Sequence, residues 1–195
     1  MRYIGRVLPT PDDWSTRHSV QATVQRTGAL INVLTGDAPD GTAPAPAAVA
    51  EVLRAHGETG PPALSTEDVS EMRNAALLLR EVFAAAHVDD AAAALNRLLL
   101  EHAGPVRLTS HGGSTPWHPH LDRADDGPWG EWFLTSSCLA LTVLVWDRQR
   151  RPGGLCASPS CRNVFLAQGS GPERRYCSRR CATRERVAAH RRYHR

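Results

Sequence analysis

Apolar residues recur every three or four positions in five stretches of the first 147 residues, and this spacing predicts amphipathic helices. The stretches are Val20, Val24, Thr27, Ile31 and Leu34; residues 47–56; Val69, Met72, Ala76, Leu79 and Phe83; Ala93, Leu95, Leu98 and Leu99; and Trp132, Phe133, Ser136, Leu139, Ala140, Val143, Leu144 and Trp146. Ser65, with Glu67 and Asp68 after it, predicts the N-cap of the third helix. Gly36 and Gly57 mark the ends of the first two. We expect these stripes to form the core of a mainly helical domain, preceded by an irregular segment over residues 1–17.

The pattern changes between the fourth and the last helix. Residues 105–110 and 115–121 flank Gly112-Gly113, which predicts a β-hairpin. His118 and His120 alternate along the second arm, so they share one face of the strand. This placement permits a second metal site or a ligand contact, but we favour exposed or hydrogen-bonded structural histidines. The candidate ligand-binding residues of the hairpin are His111, Trp117, His118 and His120, with Asp122 nearby in the sequence.

Four of the five cysteines stand in two close pairs near the end of the chain. Cys156 and Cys161 are spaced C-x4-C, Cys177 and Cys181 are spaced C-x3-C, and fifteen residues separate the pairs. Two such pairs can bring four sulfurs to one ion, so they predict a structural Zn²⁺ site. Two disulfides are the alternative, but disulfides belong to oxidising compartments and the first residues carry no apolar run of a signal peptide. The fifth cysteine, Cys138, lies in the last helical stripe and is predicted to be buried.

A small ribbon is predicted between the two cysteine pairs. Residues 163–166 indicate a short strand, residues 169–172 a turn, and residues 174–176 the returning strand. A ribbon of this size cannot bury a core of its own, so we expect the metal to supply its folding free energy.

Charge divides the chain into an acidic part and a basic part. Residues 1–147 carry 10 arginines and 18 acidic residues, a net charge of −8, whereas residues 148–195 carry 13 arginines and 2 acidic residues, a net charge of +11. A compact module with this balance is typical of proteins that bind polyanions. The alternative is a solvated tail, or one that docks on the acidic domain of the same chain. The candidate nucleic-acid-binding residues are Arg174, Arg175, Arg179, Arg180, Arg184, Arg186, Arg191 and Arg192.

A basic helix is predicted from Ser178, its N-cap, to the end of the chain. On this helix Arg180, Arg184 and Arg191 fall on one face. Ala188 and Ala189 turn away from that face, and we expect them to pack back on the rest of the protein.

Several segments of this sequence resemble a known pair of domains. Leu-Cys-Ala-Ser-Pro-Ser-Cys at 155–161, Val-Phe-Leu at 164–166 and Arg-Arg-Tyr-Cys-Ser at 174–178 resemble the CGNR zinc finger. Residues 28–34, 94–99 and 117–120 resemble landmarks of the ABATE domain that normally precedes this finger. The resemblance implies a stress-induced transcription regulator.

The chain departs from the family pattern in the second cysteine pair. The family has C-x4-C there, and its signature Cys-Gly-Asn-Arg reads Cys-Ala-Thr-Arg at 181–184 in this chain. The loss of one residue would rotate Cys181 by about 100° on a helix, so a tighter turn is needed before zinc can be bound.

Together these features predict an α+β protein, with a mainly helical N-terminal domain that contains a β-hairpin and a small C-terminal zinc ribbon followed by a basic helix. We expect the helical domain to cover residues 1–147, a linker residues 148–154 and the zinc finger residues 155–195. The predicted function is a regulator that binds double-stranded DNA through Zn²⁺-fixed arginines, with a small-molecule effector sensed by the N-terminal domain.

The second hypothesis is a zinc ribbon that binds a protein partner, for example in the transcription machinery, without touching DNA. We do not expect an enzyme, because a four-cysteine zinc has no open coordination position and the sequence shows no nucleophile–base arrangement. No apolar stretch reaches the roughly 20 residues that a membrane span needs, so we expect a cytoplasmic protein.

Overall fold

A computed structural model describes residues 16–36, 44–58, 63–113, 115–125, 127–167 and 174–193. Over these residues the chain forms six helices and two antiparallel two-stranded sheets. The elements are α1 (Thr16–Thr35), α2 (Pro46–Ala55), α3 (Thr66–Ala84), α4 (Val88–His102), β1 (Arg107–Thr109), β2 (His118–His120), α5 (Trp129–Arg148), β3 (Gly153–Leu155), β4 (Val164–Leu166) and α6 (Arg179–Tyr193). The predicted α+β class is thereby confirmed. Residues 1–15 of the expected irregular start and the expected turn at 169–172 lie outside the described residues.

The hydrophobic core lies within the helical bundle of α1 to α5. Helix α5 occupies the centre, where it packs against α1, α3 and α4, and α2 covers the outer side of α1. The predicted stripes of the first and third helices are buried, as the fully enclosed side chains of Ile31, Leu79 and Phe83 show. The predicted N-cap of α3 is confirmed, since the Ser65 hydroxyl accepts a hydrogen bond from the Asp68 amide at 3.0 Å.

Helix α5 differs from the prediction in the face that it buries. It is enclosed on several sides from its start to Leu144 because three helices surround it, and Leu134, Ser137 and Leu141 are buried there. Trp146, assigned to the apolar side from its spacing, is 75% exposed. Ala93 of α4, also assigned to a core stripe, is exposed as well.

The strand that pairs with β4 is not the predicted one. Residues 153–155 form β3 and pair with β4, whereas residues 174–176 form no strand and contribute one backbone hydrogen bond, from the Ala157 amide to the Arg175 carbonyl at 2.8 Å. Glycine permits the pairing, because a Cβ atom added at Gly153 would lie 1.9 Å from the Phe165 carbonyl oxygen. The predicted linker, residues 148–154, thus contains the last residue of α5 and the first two residues of β3.

The ribbon, meaning the described part of residues 153–178, docks on the helical bundle. Val164 of β4 is 1% exposed and belongs to the same core cluster as the bundle residues, and Leu166 packs over Gly28 of α1. Two further hydrogen bonds fix this arrangement, from Arg80 to the Arg162 carbonyl and from Arg148 to the Ala167 carbonyl at 2.9 Å. Arg151, just before the ribbon, donates to the Ala85 carbonyl at 2.9 Å. Among the described residues, no helix has both the length and the apolar composition needed to cross a membrane.

Candidate metal centre and nucleic-acid interface

The four cysteines of the two predicted pairs come together at one point. Their sulfur atoms all lie within 4.8 Å of one another, with 3.6 Å between Cys161 and Cys177 and 3.7 Å between Cys177 and Cys181. Four thiolates around a tetrahedral zinc ion, with Zn–S bonds of about 2.3 Å, have their sulfurs roughly 3.8 Å apart. A disulfide would need about 2.05 Å, and none of the five cysteines, all in the described residues, forms one. The cluster therefore fits a single metal ion.

Two tight turns bring the cysteines of each pair together. In the first, the Cys161 amide donates to the Ser158 carbonyl at 2.9 Å. In the second, Cys177 precedes α6 and Cys181 lies in its first turn, where its amide donates to the Ser178 hydroxyl at 3.3 Å. Ser178 therefore caps the helix as predicted, and the shortened C-x3-C spacing still brings both sulfurs to the cluster.

The crowded sulfurs can all be thiolates only if a cation balances their charge. Burial, together with the neighbouring sulfurs, raises the pKa of the Cys177 thiol to about 12. Four thiolates cannot share this space unless a positive ion balances them. Two donors also point at sulfurs: the Cys177 amide lies 3.4 Å from Cys156 Sγ, and Arg184 Nη2 lies 3.5 Å from Cys181 Sγ. Such outer contacts orient metal ligands and spread their charge.

Helix α6 leads away from this cluster and is exposed over most of its surface. Cys181 alone among its residues is buried, and Ala188 is half-buried. Ala189 is exposed, so the prediction that it packs back on the protein is wrong; its position on the helix lies away from the side that carries Cys181.

The structure divides the eight candidate arginines into two groups. Arg174 donates to the Cys177 carbonyl at 3.0 Å and lies over the Phe165 ring, and Arg184 donates to the Ser158 hydroxyl at 2.8 Å. Arg175 lies over the Tyr176 ring, 5.8 Å from its centroid. These three contact residues of the ribbon. All eight are exposed, and the other five lie on α6: Arg179, Arg180, Arg186, Arg191 and Arg192.

The three hairpin histidines also form a group. The ring centroids of His111, His118 and His120 are 4.9 to 5.1 Å apart, and their candidate ligand nitrogens all lie within 4.8 Å of one another. The predicted hairpin is confirmed by the pairing of β1 with β2, which places His118 and His120 on one face. Trp117 is 69% exposed and is not part of this group.

Comparison with known families assigns both parts of the chain. Residues 27–147 match the ABATE family, described as "putative stress-induced transcription regulator", and residues 154–194 match the CGNR zinc finger. The chain belongs to the ABATE family. The resemblance seen in the sequence is thus confirmed for both domains and for their order. No curated protein matches the chain closely enough to count as a relative.

Two aspartates and one arginine surround the histidines of the ABATE domain. Asp122, which is 3% exposed, lies 2.7 Å from His120 Nδ1, and Arg107 donates to the same carboxylate at 2.8 Å. Arg107 also contacts Asp125 at 2.5 Å, and a carboxylate oxygen of Asp125 lies 3.4 Å from His111 Nδ1. Asp122 was among the residues named from the sequence, whereas Arg107 and Asp125 were not predicted. The sequence does contain a signal for them, because acidic residues follow the second arm of the hairpin and Arg107 lies in the first arm.

Burial and hydrogen bonding set the charges within this group. Burial lowers the pKa of His111 and of His118. Burial alone would raise the pKa of Asp122, but the hydrogen bonds from His120 and Arg107 lower it below its ordinary value. The lowered pKa values favour neutral rings at His111 and His118 beside an ionised Asp122, and metal binding requires neutral imidazoles.

The CGNR finger and the ABATE domain also enclose a groove of about 580 Å³. Gly28 and Asn32 of α1 line one side, and Arg174, Arg180 and Arg184 of the finger line the other. The groove therefore presents guanidinium groups next to the ABATE helix, at the start of α6.

Proposed function

We propose that the chain is a DNA-binding transcription regulator in which a zinc-loaded CGNR finger holds α6 against duplex DNA. The observation that carries this proposal is the position of Cys181. It belongs to the cysteine cluster and also lies in the first turn of α6, so an ion in the cluster fixes the helix that bears six exposed arginines, Arg184 among them.

The ion is proposed to be Zn²⁺, held by Cys156, Cys161, Cys177 and Cys181. A set of four thiolates at these distances suits zinc, and it fills all four positions of a tetrahedral ion. Zinc in such a site supplies structure and folding free energy, and no position remains for a substrate. We therefore propose a binding role for the finger, with no catalysis at this site.

The exposed arginines are proposed to contact the DNA backbone. Arg180 and Arg191 are eleven residues apart on the same side of α6, which corresponds to about 16 Å along the helix. A guanidinium group can bind a phosphate or the edge of guanine with two hydrogen bonds. Because phosphate contacts position a protein and base contacts specify the sequence, most of these arginines are assigned to phosphate.

The ABATE domain is proposed to sense an effector and to pass its state to the finger. The ribbon shares its core with α1 and α3 through Val164, so a shift of these helices moves the finger. The three histidines lie in the hairpin between α4 and α5, and α5 is the helix at the centre of the core. A movement of the hairpin on effector binding would therefore be transmitted to the bundle through α5.

Fluorescence anisotropy with a labelled duplex tests the DNA-binding proposal. We expect the metal-loaded protein to bind, and the double variant Arg180→Gln/Arg191→Gln to bind at least about tenfold more weakly, since each lost arginine contact costs roughly 1 kcal/mol or more. Arg54→Gln is the matched control, because it removes an exposed arginine of the ABATE domain and should leave binding unchanged. Equal affinity of the wild type and the double variant would contradict the proposal. A wild type that binds no duplex DNA would favour the protein-interaction hypothesis.

A further inference from the structure

Hydrogen bonds fix the proton position on two of the three hairpin histidines. His118 Nδ1 lies 2.8 Å from the Pro116 carbonyl oxygen, and His120 Nδ1 lies 2.7 Å from a carboxylate oxygen of Asp122. A carbonyl and an ionised carboxylate only accept hydrogen bonds, so each Nδ1 must carry the proton. In a neutral ring Nε2 is then an unprotonated nitrogen with a lone pair directed away from the ring.

These two Nε2 atoms face each other at 3.0 Å. When both rings are neutral and carry their protons on Nδ1, no proton is left between the two Nε2 atoms, and two lone pairs at this distance repel. A cation between them removes the conflict, because it accepts both lone pairs. Two nitrogen ligands of a tetrahedral zinc ion, with Zn–N bonds of about 2.0–2.1 Å, lie roughly 3.3 Å apart.

His111 completes the group from the other side of the turn. Its side chain is 8% exposed, and its backbone takes the left-handed conformation, with φ of 48°. This conformation is uncommon for a residue other than glycine, and here it occurs at the residue that joins the other two histidines. The adjacent Gly112 and Gly113, with φ of 67° and 87°, provide the tight turn that allows it.

The charges in contact with the three rings favour a cation. Asp122 and Asp125 contribute two negative charges and Arg107 one positive charge, which leaves −1 in contact with the three rings. Each aspartate also lies at the Nδ1 side of a histidine. A carboxylate at this position fixes the ring and makes its Nε2 a better metal ligand.

We propose that His111, His118 and His120 form a second metal site, which binds a divalent transition ion through three Nε2 atoms and leaves one coordination position open. Imidazole ligands suit Zn²⁺, Cu²⁺, Ni²⁺ and Fe²⁺. Three protein ligands leave a tetrahedral ion one position for water or for a small ligand with a nitrogen, oxygen or sulfur donor. The site goes beyond the proposed DNA binding and does not depend on it. It rests on the proposed sensing role only in that the open position is where the effector would bind.

Titration of the metal-free full chain with Co²⁺ tests this site beside the cysteine cluster. Cobalt bound by thiolates gives intense sulfur-to-metal charge-transfer absorption, whereas cobalt bound by imidazoles gives only the weaker ligand-field bands. We expect the wild type to bind two equivalents, one with and one without the charge-transfer absorption. His118→Asn should bind one equivalent with the charge-transfer band intact. Asparagine keeps an N–H for the Pro116 carbonyl but has no counterpart of Nε2. His102→Asn, which removes a half-exposed histidine of α4 outside the group, should still bind two.

Binding of one equivalent by the wild type, or of two by His118→Asn, would overturn the proposal. If His118→Asn does not fold, NMR of the imidazole nitrogens in the wild type replaces it. The Nε2 resonances of the three histidines should shift with the second equivalent of Zn²⁺, and unshifted resonances would overturn the site. Failure of DNA binding is separate, because it leaves this stoichiometry unchanged.

Discussion

Asn32 of α1 hydrogen-bonds both backbone groups of Val164 in β4. Its Oδ1 accepts from the Val164 amide at 2.7 Å, and its Nδ2 donates to the Val164 carbonyl at 3.1 Å. The side-chain amide thereby acts as one residue of a further strand beside the ribbon. This pair of bonds, with the burial of Val164, joins the CGNR finger to the ABATE domain as one packed unit.

The first prediction concerns this contact. Asn32→Leu leaves the amide and the carbonyl of the buried Val164 without their partner, so we expect the free energy of unfolding to fall by about 1–3 kcal/mol. Urea denaturation measures this change. Asn96→Leu, at an exposed position of α4, is the control and should stay within about 0.5 kcal/mol of the wild type. Equal losses in the two variants would show that the Asn32 bonds contribute nothing specific.

The second prediction concerns the cysteine cluster. Cys177→Ser should lose the metal of the finger and with it the affinity for DNA, because α6 is no longer fixed at Cys181. Most of the helical signal in circular dichroism should remain, since the core of α1 to α5 does not include the cysteine cluster. Metal analysis and anisotropy on the same sample check both parts. DNA affinity that survives the loss of metal would contradict the role given to the ion.

The third prediction concerns the aspartate behind His120. Asp122→Asn keeps an oxygen that can accept from His120 Nδ1 but removes the negative charge, so we expect the affinity of the histidine site for Zn²⁺ to fall about 10–100-fold. Competition with a chromophoric chelator measures it. Asp89→Asn on the surface of α4 should have no effect. An unchanged affinity in Asp122→Asn would mean that Asp122 does not support the metal ligand.

The fourth prediction concerns pH. Burial and the nearby Arg26 lower the pKa of His56 below 6.5 in the folded protein. Between this lowered pKa and about 6.5 the unfolded chain binds more protons at this residue than the folded one, so stability is lost as the pH falls through this window. We expect the free energy of unfolding of His56→Gln to decline less steeply below about pH 6.5 than that of the wild type. Parallel denaturation curves at several pH values decide this, and equal slopes would contradict it.

The sequence predicted the helices and the two cysteine pairs because their signals are local. Apolar residues such as Leu79 and Phe83 recur at helical spacing, and two close cysteine pairs indicate either a metal site or disulfides. The buried face of α5 was harder to predict, because a helix surrounded by three others also buries residues outside its apolar stripe. Trp146 is exposed because it lies beyond the part of α5 that these helices enclose.

Long-range pairings were not visible in the sequence. The strand over residues 153–155 begins with two glycines, which carry no apolar side chain to mark a strand, so its pairing with β4 was missed. The bonds of Asn32 to a residue 132 positions away leave no periodic signal either. The grouping of the three histidines depends on the left-handed backbone of His111, and the sequence does not show this conformation because it is set by the fold of the hairpin.

The dependence of DNA affinity on salt tests the central claim most directly. If α6 binds phosphates, the logarithm of affinity falls linearly with the logarithm of salt concentration, with a slope of about −0.9 for each phosphate neutralised. We predict that Arg191→Gln reduces the magnitude of this slope by about 1 and that Arg54→Gln leaves it unchanged. A wild-type affinity that does not vary with salt, or the same slope in Arg191→Gln, would contradict the account.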